Sequence, residues 1–426
     1  MAPLRQAGSA ALMAQEASLE IESIAAGGDG VGRSSGLVVF VPRTAPGDIV
    51  TARISGKGRF ARGSLRAIAR SSGDRIEPPC QHYTRDRCGG CQIQHIAYTA
   101  QLRAKQRIVR DALERIGKRE TLLPEIHGSE HEWRYRTKLT LAMKRMPGGE
   151  WLSGLHPFDD PGRIFALNDC PITDVRVVET WRAILQRSEF FPAVQSLRGS
   201  VRLTADGPVF NLIGAMRWPG ASPFFDSQRT LAAMWWENDE GTRRLMGDRR
   251  LTGPLGYPAA SFSQVNPVVA SRLRAHVSRI VTAHGPTTVV DAYSGAGDTA
   301  VEFTKNGAQV TAIELDDEAA RWCALRLPAG STSVTGRVEE VLARVLPADA
   351  VVLNPPRAGT DERVTQILEQ VPRKPSVLVY VSCNPATLAR DVARLPSYRI
   401  ASLVAFDMFP QTAHVETVCE MVPQAA

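Results

Sequence analysis

Four short, unbroken apolar runs in the last third of the chain constrain its fold more than any other feature. Val289-Val290 before Asp291, Val310–Ile313, Ala350–Leu353 and Val377–Val381 are too short for helices and show no polar alternation. Runs of this kind are strands buried on both faces, as in a parallel sheet. A segment of helical character starting at Thr299 follows the first run, and another from Thr387 to Arg394 follows the fourth. From about residue 253 the chain therefore reads as α/β. In open α/β sheets ligands bind beyond the carboxyl ends of the strands. The residues that follow each run are thus the candidate functional residues.

After the first run, Tyr293-Ser294-Gly295-Ala296-Gly297-Asp298 makes a glycine-rich turn into a helix. Gly295-x-Gly297-x-x-Ala300 also fits a dinucleotide fingerprint, a weak signal by itself. Glu314 ends the second run, 17 residues after Gly297. An acid there is placed to accept hydrogen bonds from the ribose hydroxyls of a nucleoside. The third run ends in Asn354-Pro355-Pro356-Arg357 and the fourth in Ser382-Cys383-Asn384-Pro385. Cys383 stands where a strand hands over to a helix. A thiol at a helix N-terminus can have its pKa lowered and attack as the thiolate. Taken alone, a cysteine in an apolar strand is more simply an inert core residue. Near the end, Phe406 to Val418 carries His414 and Glu416 into a last strand.

The N-terminal part has another character. Runs at Leu19–Ile24, Leu37–Val41, Ile49–Ile54 and Ser64–Ala69 are separated by turn signals such as Gly27-Gly28-Asp29-Gly30 and Pro46-Gly47-Asp48. Four or five short strands with basic loops fit a small barrel that grips nucleic acid. Residues 1–150 hold 24 Lys plus Arg against 15 Asp plus Glu, or +9, whereas residues 151–426 hold 27 against 29, or −2. A positive excess confined to one end suits contact with phosphates.

Cys80-x7-Cys88-Gly89-Gly90-Cys91 follows, and Cys170 is the one further cysteine before the C-terminal region. Clustered thiols suggest metal rather than disulfides. Four thiolates can hold zinc or an iron–sulfur cluster. Tyr98 to Gly117 has apolar residues at helical spacing and reads as a connecting helix. Residues 133–143 and 200–204 read as strands of a middle β-rich region, with Arg134, Arg136 and Lys138 alternating on one strand face. No run of about 18 apolar residues is present, so no membrane span is expected. Met1 to Ala17 lack the apolar core of a secretory signal, and a cytoplasmic location is expected.

From about Ser18 to Val418 this sequence resembles the TRAM-containing RNA 5-methyluridine methyltransferases, most of all the iron–sulfur type acting on 23S ribosomal RNA. "GGDGVGR" and "GLVVFVPRTAPGD" resemble the TRAM barrel. The cysteine spacing resembles that subgroup's [4Fe–4S] site, and Asn354-Pro355-Pro356 resembles the polar-Pro-Pro turn of base-modifying methyltransferases. The resemblance implies a multidomain α/β chain with an OB-like TRAM barrel over 15–74. A middle β-rich iron–sulfur domain with a linker helix would span 75–252, and a Rossmann-like class I methyltransferase domain 253–426. It implies Cys383 as nucleophile and Glu416 as base. Gln264, Tyr293, Gly295, Gly297, Asp298, Glu314 and Asn354 would line an S-adenosyl-L-methionine site. Cys80, Cys88, Cys91 and Cys170 would hold a [4Fe–4S] cluster, and Arg33, Arg43, Lys57, Arg59 and Arg62 would meet RNA phosphates. A monomer acting on a looped or single-stranded uridine is expected.

This chain departs from the family pattern in three places. The family's first cysteine gap is shorter, it has Asp at the position of Asn354, and it has Asn at the position of Asp298. An amide at 354 cannot supply a carboxylate's charge-assisted acceptor. His414 is an alternative base. A tRNA uridine-5 methyltransferase is the nearest alternative. A nicotinamide oxidoreductase or a non-catalytic RNA-binding or ribosome-assembly protein would need no paired Cys383 and Glu416. A radical methylthiotransferase would need a Cys-x3-Cys-x2-Cys triplet, which is absent.

Overall fold

Alternation of buried and exposed residues closes the first five strands on themselves. β1 (Leu12–Ile24), β2 (Gly30–Ser34), β3 (Leu37–Val41), β4 (Ile49–Gly56) and β5 (Phe60–Arg70) form a closed barrel in the order β1-β2-β3-β5-β4. Leu19, Ile21, Val39, Val41, Val50, Ala52, Ile54 and Ala61 fill it, and closure leaves no unpaired edge. The computed structural model describes residues 12–56, 60–250 and 264–424, so Lys57 and Arg59 lie outside the described residues. β2 was not anticipated, because Gly30-Val31-Gly32 holds too few apolar residues to read as a strand. Its glycines serve close packing: a Cβ on Gly32 would collide with the β1 backbone at Glu20.

Two helices follow, α1 (Gln81–Thr84) and α2 (Tyr98–Arg115), then the short strand β6 (Glu125–His127). A seven-stranded middle sheet comes next: β7 (Lys138–Arg145), β8 (Trp151–Leu155), β9 (Phe165–Ala166), β10 (Ser196–Thr204), β11 (Gly207–Ile213), β12 (Ala233–Glu237) and β13 (Arg243–Asp248), ordered β13-β12-β11-β10-β7-β8-β9. α3 (Val175–Leu185) and α4 (Ala221–Ser227) cover one face over a core that includes Trp181, Phe210, Trp218 and Phe224. The strand expected from residue 133 starts only at Lys138. Arg134 has φ of 55°, outside any strand conformation. Arg134 pairs with Asp169 at 2.7 Å and Arg136 Nε donates to Lys138 O at 2.8 Å, so these cations do not alternate along one strand face.

The last part is a doubly wound sheet. It comprises α5 (Pro267–Ala283), β14 (Thr288–Ala292), α6 (Asp298–Lys305), β15 (Gln309–Glu314), α7 (Asp317–Arg326), β16 (Thr332–Thr335), α8 (Val338–Val345), β17 (Ala350–Leu353), α9 (Glu362–Gln370), β18 (Val377–Ser382), α10 (Pro385–Ala393), β19 (Tyr398–Phe406) and β20 (Glu416–Pro423). The strand order is β16-β15-β14-β17-β18-β20-β19-β6. The first five are parallel, and β20 inserts antiparallel between β18 and β19. The four apolar runs are β14, β15, β17 and β18, each buried on both faces. The order reverses between β14 and β17, which opens a crevice at their carboxyl ends. Residues 98–127, assigned from sequence to the middle region, pack here: α2 lies on α10, and β6 pairs with β19.

Candidate active site

β18 and β20 run side by side with Ser382 opposite Thr417. Cys383 follows Ser382, and Glu416 precedes Thr417, so the register brings thiol and carboxyl together at the sheet's edge. Cys383 is half-buried; Glu416 is 3% exposed. Asn384 caps α10 by accepting from Ala386 N at 3.1 Å, with Pro385 preset for the first turn. Asn384 Nδ2 and Thr387 Oγ1 both donate to Arg357 O, at 3.1 and 3.3 Å. The turn after β17 is thereby held against α10, and the Arg357 side chain hydrogen-bonds the Cys383 thiol.

Burial pushes the Cys383 thiol above its ordinary value, and the charge of Glu416 pushes it the same way. Arg357 pulls it down by charge and hydrogen bond. The net direction is upward, opposite to the lowering expected at a helix N-terminus, because desolvation outweighs the single cation. Burial also pushes Glu416 up to about 7, against a hydrogen bond from Gln264 and the charge of Arg357. A carboxyl near neutrality can both take and return a proton at working pH. His414 is pushed down to about 4 by burial and by Arg357, Lys105 and Arg136, which makes it the weaker base.

The carboxyl ends of β14, β15 and β17 form a cradle beside this pair. Gly297, at φ 83°, precedes α6 and lies so close to Cys323 that an added Cβ would collide with it. A Cβ on Gly295 would meet only open space. Tyr293 holds the turn with φ 62°. Glu314 accepts from Gly295 N and Asp316 N, both at 2.8 Å, which fixes its carboxylate at the end of β15. Asp298 is tied to Arg326 at 2.7 Å, and Asn354 is exposed at the end of β17. Gln264, expected in the donor site, hydrogen-bonds Glu416.

Two residues escaped the sequence reading. Arg357 stood there only as the end of a turn, yet it is the cation facing Cys383. Asp291 stood only as the end of a strand. It is 2% exposed, its Oδ2 has no hydrogen-bond partner, and burial with the nearby Glu314 and Asp298 pushes it up to about 7. An acid closing an apolar run just before a glycine turn was the available signal.

Cys80, Cys88, Cys91 and Cys170 line one cavity of about 130 Å³, together with Gln94, Arg136 and Asp169. Burial pushes all four thiols upward, Cys88 to about 11, and the charge of Cys80 adds to the rise of the other three. Among the described residues, no group of three or more His, Cys, Asp or Glu is arranged to hold a metal ion. Arg43, expected on the RNA-facing surface, is turned inward here. Its guanidinium lies 3.3 Å over the Tyr83 ring and donates to Cys88 O at 2.6 Å. That stacking removes it from phosphate contact. Arg33 and Arg62 remain exposed on the barrel.

A family model described as tRNA (Uracil-5-)-methyltransferase matches residues 335–422. An RNA methyltransferase of Halalkalibacterium halodurans is 32% identical over 95% of this chain and 96% of its own length. One from Listeria monocytogenes is 32% identical over 95% and 97%. The chain belongs to the RNA methyltransferases of the uracil-5 family. The Pyrococcus abyssi tRNA (uracil-54, C5)-methyltransferase, solved with S-adenosyl-L-homocysteine, superposes with a TM-score of 0.71 at 25% identity, over 95% of this chain and 99% of that one. The family's matched segment contains β17, β18 and all but the last residue of β20, and therefore Arg357, Cys383 and Glu416. Among the described residues, no helix is long and apolar enough to cross a membrane.

Proposed function

We propose that this protein methylates carbon 5 of a uridine in RNA through a cysteine–uracil adduct. The observation that carries this is the meeting of Cys383, Arg357 and Glu416 at one sheet edge. Carbon 5 of uracil is a poor nucleophile. The Cys383 thiolate adds to carbon 6, and the ring becomes an enolate whose carbon 5 attacks an electrophilic methyl group. Glu416 then removes the hydrogen on carbon 5, the double bond re-forms, and the thiolate leaves. The uracil must be unstacked to reach the pair. S-adenosyl-L-methionine supplies the methyl group when bound. The cradle fits it: the space at Gly295 is open, Glu314 is held ready for ribose hydroxyls, and Asp291 keeps a buried acceptor unused. Tyr293, Gly297, Asp298, Asn354 and Gln264 complete the proposed donor site.

A [4Fe–4S] cluster on Cys80, Cys88, Cys91 and Cys170 is supported by the one cavity that all four line, although their side chains as placed form no metal-holding group. Such a cluster would hold the middle region together, and all four ligands would leave it closed to substrate. With it goes 23S rRNA as target, a TRAM-type role for the barrel, the partition 15–74, 75–252 and 253–426 with α2 and β6 of the middle stretch packed on the last domain, and a cytoplasmic monomer. The likeness to the Pyrococcus abyssi enzyme favours a second target, tRNA.

The test is trapping. RNA containing 5-fluorouridine should leave a denaturation-resistant adduct on wild type, mapped by mass spectrometry to Cys383. Cys383→Ala should form none, and Glu416→Gln should trap a methylated adduct on ordinary RNA. A crosslink at Cys323 or Cys419 would sink the assignment. Mapping 5-methyluridine with and without the gene separates rRNA from tRNA. Anaerobically purified protein should contain iron and sulfide; stoichiometric zinc would replace the cluster.

A further inference from the structure

Glu416 enters β20 at the end of a segment, residues 407–415, that leaves β19 and crosses back to the active edge. Partners more than 270 residues away in sequence hold this segment from below. Lys105 of α2 donates to Asp407 Oδ1 at 2.5 Å and to Phe409 O at 3.1 Å, and both charged side chains are fully buried. Gln101, one turn earlier on α2, pairs its side-chain amide with Gln411: its Nε2 donates to the side-chain Oε1 of Gln411 at 2.9 Å, and its Oε1 accepts from the backbone N–H of Gln411 at 3.0 Å. Tyr135 Oη donates to Pro410 O at 3.0 Å. Gln92 N and Ile93 N, immediately after Cys91, both donate to Gln411 O at 3.2 Å.

Gln411 itself has φ of 70°, a conformation that a non-glycine residue keeps only when its surroundings impose it. A buried lysine, a buried amide pair and a left-handed glutamine all converge on the segment that aims the base. A loop serving only to connect two strands needs none of them; tight turns are made more simply from glycine and exposed polar residues.

We propose that Gln101 and Lys105 are positioning residues for Glu416, so that removal of the carbon 5 proton depends on α2 and the 88–101 segment being docked. The proposal rests on the reading of Glu416 as base. In that step the proton passes to the Glu416 carboxylate, and the C–H electron pair becomes the C5–C6 double bond. The C6–S bond breaks, its pair leaving on Cys383 as thiolate. A displaced carboxylate slows this step while leaving the earlier addition and methyl transfer to Cys383 and the donor.

The test uses full-length protein, bulk RNA from cells lacking the gene, and S-adenosyl-L-methionine with a labelled methyl group. Single-turnover reactions are stopped in denaturant, and label is counted on protein-bound and on free RNA. Gln101→Ala should form adduct at the wild-type rate but release it roughly ten- to a hundredfold more slowly, the scale of a displaced catalytic group. Labelled methyl should therefore accumulate on protein. Gln411→Gly, which keeps the left-handed backbone without strain and the backbone N–H bond to Gln101 Oε1 but removes the side-chain acceptor of Gln101 Nε2, should slow release in the same direction by less and guards against a folding defect in the first variant. Equal loss of formation and release, or no change in either, overturns the proposal. Absence of any wild-type adduct on 5-fluorouridine RNA overturns the reading beneath it, and the proposal with it.

Discussion

Cys383 and the four cavity cysteines are all thiols withdrawn from water, yet their neighbours differ. Cys383 is half-buried and faces one carboxyl and one guanidinium. The cavity cysteines face one another, so each thiolate formed would oppose the next. A single thiol beside a cation can ionise, attack and leave again. Crowded thiols keep their charge only when a cation joins them, and binding then becomes folding energy. One group is suited to making and breaking a bond and the other to holding structure.

The sharpest way to break this contrast is to mutate both groups. Cys383→Ala should lower turnover by roughly 10⁴-fold or more, the scale for removing a nucleophile, with thermal stability near wild type. Cys91→Ser should do the reverse, lowering Tm while remaining activity follows the folded fraction. Melting curves and single-turnover rates on both variants check this, and equal effects on stability would erase the distinction.

The carboxyl beside Cys383 gives the next largest effect. Glu416 must be ionised to accept a proton, so release of product should rise about tenfold per pH unit and level off above about 7. Glu416→Gln should abolish that limb. It should also speed alkylation of Cys383 by iodoacetamide, because the negative charge that raises the thiol is gone.

A stability measurement follows from the same carboxyl. Its folded value, about 7, lies above the ordinary 4.5. Between those values the folded chain keeps a proton that the unfolded chain has released. Stability therefore falls as pH rises from about 4.5 to about 7. Glu416→Gln should raise Tm by a few degrees at pH 8 and change it little at pH 4; a lower Tm at pH 8 would count against the buried, raised carboxyl.

The smallest effect separates two arginines of the barrel. Arg62→Ala should reduce the salt dependence of RNA binding by about one unit of slope. Arg43→Ala should leave the slope alone and lower Tm instead, since its guanidinium is stacked on Tyr83. Filter binding across a salt series distinguishes them.

Four of the five parallel strands, the glycine turn, the strand–cysteine–helix junction and four of five barrel strands were all legible, because each is written in neighbouring residues; the polar Thr332–Thr335 strand was not. β2 was not, since glycines in a strand carry no apolar signal. The strand expected from Trp133 failed at Arg134, where hydrogen bonds to the Cys170 region impose a turn conformation.

The sequence by itself determined the residue types that could do the chemistry and the edge on which they would stand, because periodicity and local motifs act over a few residues. Only the tertiary structure decided which of them meet. The register of β18 against β20 put Glu416 beside Cys383, where burial raised both and the carboxylate raised the thiol further. Folding turned Arg43 inward, set Arg357 against the thiol, and sent Lys105 across 302 positions to Asp407. Burial and charge pairing depend on what lies across the fold, and no local pattern encodes that.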